Sequence, residues 1–128
     1  MKTALITHDD CLNHITPPGH PEQVARLERI LEVLKPLDLN RISAPLAADD
    51  DLLRVHPKSH INALRDAAPE VGFAAIDGDT HMSPGSLQAA YRAAGGVLRA
   101  IDMVLQGDAP NAFVAVRPPG HHAETRTA

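Results

Sequence analysis

The sequence feature that most constrains the fold is a long amphipathic helix followed, after a short turn, by a wholly apolar strand. The helix is expected between Ser83, a good N-cap with Pro84 in the first helical position, and Gly107, which ends the pattern. Apolar residues then continue as a predicted buried strand over 112–116. The apolar face expected for the helix consists of Leu87, Ala90, Tyr91, Ala94, Val97, Leu98, Ile101, Val104 and Leu105.

The same alternation of strand and helix runs through the rest of the chain. Predicted strands cover 3–7 and 39–43, and predicted helices begin at Glu22, at the aspartates 49–51 and at Pro57. This alternation predicts an α/β fold with a mainly parallel sheet flanked by helices. Ligands bind such sheets outside the carboxyl ends of the strands, and polar loops bearing histidines follow the first and the last predicted strand.

Composition narrows the functional classes. The chain has 128 residues, which fit one domain, and its 44% apolar content is ordinary for a globular protein. A net charge of −4 and only 2% aromatic residues give no reason to expect nucleic acid as a partner, and no apolar run is long enough to span a membrane. The single cysteine, Cys11, excludes an internal disulfide and favours the reducing cytoplasm. The unusual count is eight histidines, so the chemistry is expected there.

Two of these histidines, His121 and His122, are adjacent on a turn that follows the last predicted strand. Pro118 and Pro119 restrict the backbone before them, and Gly120 permits a close backbone approach. Two neighbouring imidazoles can supply a proton acceptor and a proton donor near neutral pH. Adjacent rings rarely reach one metal ion together, and no Cys or carboxylate at ligand spacing accompanies them. On spacing alone, two solvated loop histidines are an equally good interpretation.

Four segments, in the same order, resemble the histone deacetylase superfamily, in particular its class II and bacterial class II-like members. They are GHPEQVARLERILEVL (19–34), LLRVHPKSHINAL (52–64), DGDTHMSPGSLQAAYRAAGGVLRAIDMVLQG (77–107) and NAFVAVRPPGHHAE (111–124). Because they span nearly the whole chain, the match is far more specific than a single motif. The resemblance implies the N-terminal part of an arginase/deacetylase-type α/β fold. It also implies a zinc-dependent amidohydrolase that acts on acetylated or otherwise acylated lysine.

The resemblance further implies roles for individual residues. His121 and His122 match the pair that handles protons, with His122 the general base and later the acid and His121 an electrostatic assistant, although the division between them stays open. Asp79 matches the rim aspartate that binds the substrate backbone. Arg26 matches the arginine that lines the internal cavity, and Gly120 matches part of the channel wall.

Simpler interpretations stand beside these roles. Asp79 lies in an Asp-Gly-Asp stretch that is also typical of a plain turn, and Arg26 could extend along its helix into solvent. A zinc site built from His14 and His20 lacks any supporting ligand pattern and is disfavoured. The remaining histidines are expected to be loop or structural residues: His8, His14, His20, His56, His60 and His81.

The zinc ligands of the family lie on segments downstream of the tandem histidines, and this chain contains neither segment. We therefore expect residues 1–128 to be a single incomplete domain, with zinc bound by the full-length family domain and not tightly by this chain. The isolated chain should lack deacetylase activity and associate with itself through its exposed sheet. An acetylated lysine of a protein is favoured as substrate over a small acetylated amine such as a polyamine. The alternatives are a truncated, non-catalytic paralogue that acts as an interaction module, and a small His-rich metal-binding protein.

Overall fold

Three short parallel strands form the central sheet of the computed structural model, which describes residues 1–128. The first strand of the chain is the middle one, and Ala4 lies opposite Asn40 on one side and Ala112 on the other. The parallel α/β sheet predicted from the sequence is confirmed, although each strand is shorter than expected. The strands are β1 (Ala4–Thr7), β2 (Asn40–Ser43), β3 (Ala74–Ala75), β4 (His81–Met82) and β5 (Ala112–Val114); the sheet has the order β2-β1-β5, and β3 and β4 form a separate antiparallel hairpin.

Helices connect the strands and cover both faces of the sheet. The buried residues separate into two clusters, because successive side chains of a strand point to opposite faces. On one face Ile6 packs with Ala100 and Met103, and on the other Leu5 packs with Leu27. None of the helices combines the length and the apolar content that crossing a membrane requires. The helices are α1 (Val24–Leu34), α2 (Asp49–Leu52), α3 (Lys58–Ala67) and α4 (Ser86–Leu105), and a 3₁₀ helix covers Asp9–Asn13.

The apolar face expected for α4 is largely wrong. The residues that this helix buries are mostly small, including Ala89, Gly95 and Gly96, whereas large residues of the expected face lie in solvent. Small residues face the sheet side because they let the helix backbone approach closely: a Cβ on Gly95 would lie 2.0 Å from the carbonyl oxygen of Pro45. Between 40% and 80% of the surface is exposed at Val97, Ile101, Val104 and Leu105.

The start of α4 also differs from the prediction that Ser83 caps it. The helix begins at Ser86, is preceded by Gly85 and has no side-chain cap. The buried hydroxyl of Ser83 is used elsewhere: it accepts the N–H of Ile15 at 2.9 Å and donates to the carbonyl of Asn13 at 3.3 Å. Ser83 therefore ties the approach to α4 to the loop that follows β1.

Candidate active site

An open cleft of about 640 Å³ lies at the carboxyl ends of β1 and β5. Its walls come from the loop after β1, the tip of the β3–β4 hairpin, the first turns of α4 and the turn after β5. This is the edge at which parallel α/β sheets bind ligands. All five residues that were expected from the sequence to have a function line the cleft: Arg26, Asp79, Gly120, His121 and His122.

The tandem histidines lie on the turn after β5, and both are exposed to solvent. The ring centroids of His121 and His122 are 4.2 Å apart, and the ring planes are inclined by 65°, so the two imidazoles meet edge to face. Neither ring makes a side-chain hydrogen bond within the chain. The turn that carries the two rings therefore determines where they lie along the cleft.

This turn begins at Arg117, which is only 4% exposed. The guanidinium binds the carboxylate of Glu22 with two hydrogen bonds, Nε to Oε1 and Nη2 to Oε2, each 2.7 Å long. Nη1 donates to the carbonyl oxygens of Cys11 at 3.2 Å and His14 at 2.6 Å. Spacing in the sequence does not predict this pair, because the partners are 95 residues apart. The one available signal is an arginine placed between an apolar strand and two prolines, since a buried charge needs a partner.

Glu22 also faces His14, and burial and Arg117 together determine the ionisation of both. Burial alone would raise the pKa of Glu22, but the hydrogen bonds and the charge of Arg117 lower it below its ordinary value. Burial lowers the pKa of His14, and the positive charge of Arg117 lowers it further. The 3.5 Å contact between His14 Nε2 and Glu22 Oε2 is therefore one between a neutral imidazole and a carboxylate, not an ion pair.

Ser86 holds the other side of the His14 ring. The Ser86 Oγ lies 2.6 Å from His14 Nδ1 and accepts the N–H of Ser83 at 2.7 Å. The Ser86 Oγ also lies 3.1 Å from the Ser83 Oγ, so one hydroxyl connects the His14 ring to the approach to α4. His14 is a structural histidine that joins the start of α4 to the loop carrying Glu22.

The buried, neutral His14 predicts a stability that depends on pH. As the pH falls below the ordinary histidine pKa of 6.5, His14 binds a proton in the unfolded chain. In the folded chain it stays neutral to lower pH, because its pKa there is lower. The free energy of unfolding should therefore decrease towards acid pH. His14→Gln should flatten this slope, as measured by urea unfolding between about pH 5 and pH 8.

His60→Gln is the matched control for this prediction. Burial also lowers the pKa of His60, but this residue is less buried than His14 and contributes a smaller part of the slope. The control should therefore keep most of the pH dependence. A slope in His14→Gln as steep as that of the wild type would contradict the prediction.

Asp79 lies at the tip of the β3–β4 hairpin, on the rim of the cleft. The turn chemistry of this stretch belongs to Asp77, whose carboxylate accepts the N–H groups of Asp79 and Thr80 at 2.8 Å each, and these bonds lower its pKa. The side chain of Asp79 is 87% exposed. His20 Nδ1 accepts the N–H of Glu22 at 3.1 Å, so the proton is on Nε2, which donates to the Asp79 carbonyl at 2.8 Å.

Gly120 and Arg26 also line the cleft. Nothing lies within 4 Å of the position that a Cβ on Gly120 would take, so the close backbone approach that a glycine permits is not used within these residues. Arg26 extends from the first turn of α1, is exposed to solvent and borders the cleft, which combines the two interpretations of its side chain.

The residues of this chain do not form a zinc site. No group of three or more His, Cys, Asp or Glu side chains is arranged to hold a metal ion. Of the two histidines considered for a zinc site, His14 contacts Ser86 and His20 contacts the carbonyl of Asp79. His56 lies on another wall of the cleft, where its Nδ1 is 3.0 Å from the carbonyl oxygen of Thr125.

Comparisons with known proteins find relatives over nearly the whole chain. A profile of the histone deacetylase domain matches residues 20–128. The histone deacetylase-like amidohydrolase of Pseudomonas aeruginosa is 40% identical over 115 residues, which cover 84% of this chain and 30% of that protein. The probable deacetylase of Archaeoglobus fulgidus is 35% identical over an alignment of 130 positions, which covers 97% of this chain and 36% of that protein.

Structural comparison agrees with these relationships. A crystal structure of the HDA15 HD domain matches with a TM-score of 0.90 at 30% sequence identity, over 98% of this chain and 39% of that one. The chain thus spans about a third of the length of the relatives that it matches. Since the domain profile covers most of the sequence and the same fold recurs in a related structure, this chain belongs to the histone deacetylase domain family.

Proposed function

We propose that this chain is the N-terminal portion of a zinc-dependent deacetylase that removes acetyl groups from lysine side chains. The observation that carries the proposal is the placement of the tandem imidazoles and of Asp79 around one cleft at the carboxyl edge of the sheet. Membership of the family supports amide hydrolysis as the reaction class. Because residues 1–128 span about a third of the length of these relatives, we infer that they are a single incomplete domain. The zinc ligands would then belong to the part of the relatives' length that this chain does not span.

His121 and His122 suit the proton transfers of this reaction. Amide hydrolysis needs a base that takes a proton from the attacking water and an acid that protonates the leaving amine. Histidine serves both purposes near neutral pH, since its ordinary pKa is about 6.5. We assign the base and later the acid to His122, and an electrostatic role to His121, whose ring contacts its neighbour.

Asp79 supports a peptide as substrate. Its exposed carboxylate at the rim can accept the backbone N–H groups on either side of an acetyl-lysine whose side chain enters the cleft. A small acetylated polyamine offers ammonium groups to the same carboxylate and is the second candidate substrate. We favour the acetylated lysine of a protein, because an exposed rim residue can bind a backbone that stays outside the cleft.

A chimaera tests the proposed function. Residues 1–128 replace the matching segment of the Pseudomonas amidohydrolase, and the product is assayed on an acetyl-lysine peptide and on an acetylated polyamine, beside the parent enzyme and the isolated chain. We expect the chimaera to hydrolyse the peptide and the isolated chain to hydrolyse neither substrate. A chimaera that unfolds cooperatively on heating but is inactive where the parent is active would contradict the proposal. Activity of the isolated chain would contradict the inference of an incomplete domain.

The sheet is open on the β5 side, and we propose that the isolated chain associates with itself there. The carbonyl of Asn111 and the N–H of Ala115 form hydrogen bonds with β1. Because successive residues of a strand direct their backbone groups to opposite sides, the N–H and C=O groups of Ala112 and Val114 point away from β1, to the open edge. Phe113 is half exposed beside this edge, and the large apolar residues of α4 are exposed as well. An unpaired edge with apolar side chains is a template for pairing with another chain.

Phe113→Lys should therefore shift the isolated chain towards the monomer. A lysine on an edge strand opposes pairing, because its ammonium group would have to be buried between the two chains. Val71→Lys is a matched control, since Val71 is exposed on a loop outside the sheet, and it should leave the association unchanged. Sedimentation velocity over a range of concentrations measures the effect. A wild-type chain that stays monomeric at the highest concentration would contradict the proposed association.

A further inference from the structure

The turn that carries His121 and His122 is anchored at its start by a buried ion pair. Arg117 makes four hydrogen bonds, two of them to the Glu22 carboxylate and two to carbonyl oxygens of the loop after β1. A planar guanidinium bonded in this way fits in only one orientation. The position of Arg117 is thereby fixed relative to the loop after β1, which forms one wall of the cleft.

The segment between this anchor and the two histidines is short and consists mostly of proline. Only Pro118, Pro119 and Gly120 lie between Arg117 and His121, and each proline holds its φ angle near about −65°. Neither imidazole has a side-chain hydrogen bond of its own, and the edge-to-face contact between the two rings lies within the turn that carries both. A displacement of Arg117 would be transmitted to both of them.

Glu22 connects the same anchor to the opposite rim of the cleft. Its carboxylate holds Arg117, while its backbone N–H donates to His20 Nδ1 at 3.1 Å. His20 in turn donates from Nε2 to the carbonyl of Asp79 at 2.8 Å. One short loop segment therefore positions both the tandem histidines and the aspartate at the rim.

We propose that Arg117 and Glu22 are positioning residues that hold His121 and His122 in a fixed place over the cleft. This inference rests on the proposed function for the chemistry of the two histidines, but the order of the turn can be measured without any activity. A contact that only stabilises the fold has no need of charges, because a buried ion pair gains little over a well-packed apolar pair. Half of the hydrogen bonds of Arg117 reach loop carbonyls beside the cleft, where they define a position.

NMR of the full chain with isotope-labelled histidine measures this order directly. In the wild type we expect a nuclear Overhauser effect (NOE) between the rings of His121 and His122, whose centroids are 4.2 Å apart, together with ring relaxation typical of a folded segment. Arg117→Lys keeps the charge but loses the planar fork. We expect it to lose the NOE and to give both rings the relaxation of a mobile tail, with an unchanged circular dichroism spectrum.

Arg65→Lys is the matched control. Arg65 binds both carboxylate oxygens of Asp49 at 2.7 Å, but this pair is partly exposed and lies outside the cleft, so the two rings should keep their order. Glu22→Gln is the second variant and decides the matter if Arg117→Lys does not fold. Its amide keeps an acceptor for Arg117 without the charge, so the NOE should be reduced.

Several results would overturn the proposal. They are wild-type rings without a mutual NOE, a folded Arg117→Lys or Glu22→Gln chain with wild-type ring order, and an equal loss of order in Arg65→Lys. Failure of both Arg117→Lys and Glu22→Gln to fold would assign the pair to stability and would overturn it as well. A folded chimaera without deacetylase activity, beside an active parent enzyme, would refute the proposed function and leave the measured ring order unaffected.

Discussion

In the chimaera that carries residues 1–128, His122→Ala should lower kcat on an acetyl-lysine peptide by a factor of about 10² to 10⁴. The substitution removes the group that accepts the proton of water and later delivers it to the leaving amine, so both proton transfers lose their catalyst. KM should change little, because the imidazole acts on the reacting water and not on the part of the substrate that is bound at the rim. Steady-state kinetics with purified chimaera and variant measure both constants.

Two further substitutions complete this test. His121→Ala should cause a smaller loss of kcat, because its ring acts on its neighbour electrostatically and transfers no proton. His8→Ala should leave kcat unchanged, since His8 lies outside the cleft, where its Nδ1 accepts the N–H of Asp10 at 2.9 Å. A larger loss in His121→Ala than in His122→Ala would reverse the assignment of the two histidines.

A second large effect is expected from Gly95→Ala, which should destabilise the chain by about 3 kcal/mol or more. A Cβ at this position would lie 2.0 Å from the carbonyl oxygen of Pro45 and 2.7 Å from the nitrogen of Ala47. Both are backbone atoms, which cannot rotate away as the end of a side chain can. The same nitrogen donates to the Tyr91 carbonyl at 3.0 Å, so relief of the clash would also disturb this hydrogen bond. The gain in helix propensity, about 1 kcal/mol, offsets only part of the cost.

Gly96→Ala, at the next position of α4, is the matched control. A Cβ there would meet side-chain carbons of Ala44, Val114 and Ile6 at 3.2, 3.3 and 3.5 Å. Small shifts of these side chains can accommodate it, so the net change in the free energy of unfolding should stay within about 1 kcal/mol. Urea unfolding of both variants measures the difference. Equal stability of the two would contradict the close contact between α4 and the backbone at 45–47.

Local sequence patterns predict the elements of this fold but not the way in which they face one another. The strands and helices follow from apolar runs, helical spacing and Pro or Gly boundaries, all of which are properties of neighbouring residues. The side of α4 that faces the sheet does not follow from neighbouring residues. Gly96 is buried and Ile101 is exposed because of contacts with strands that are distant in the sequence. Hydrophobic periodicity gives most weight to large apolar residues. It therefore predicts that the side of the helix with the large residues faces the core.

The candidate site, too, contains some residues that local sequence patterns predict and others that they do not. His121, His122 and Asp79 can be recognised from the segments around them, because motifs consist of consecutive residues. Arg117 and Glu22 are 95 residues apart, and no spacing rule connects them. The two aspartates of the hairpin tip look alike in the sequence, and only the N–H groups bound by Asp77 show which of them forms the turn.

Because β1 is the middle strand, both of the strands that pair with it come later in the chain. Thr7 donates to the carbonyl of Ala115 at 2.7 Å across a separation of 108 residues. Pairing of β1 with β5 therefore closes a loop of nearly the whole chain, and the entropy of closing this loop is lost before the contacts between the strands form. Contacts of such long sequence separation make folding slow. Until α4 and β5 are in place, Ile6 on β1 lacks most of the residues that cover it, and this stage is the one most exposed to aggregation.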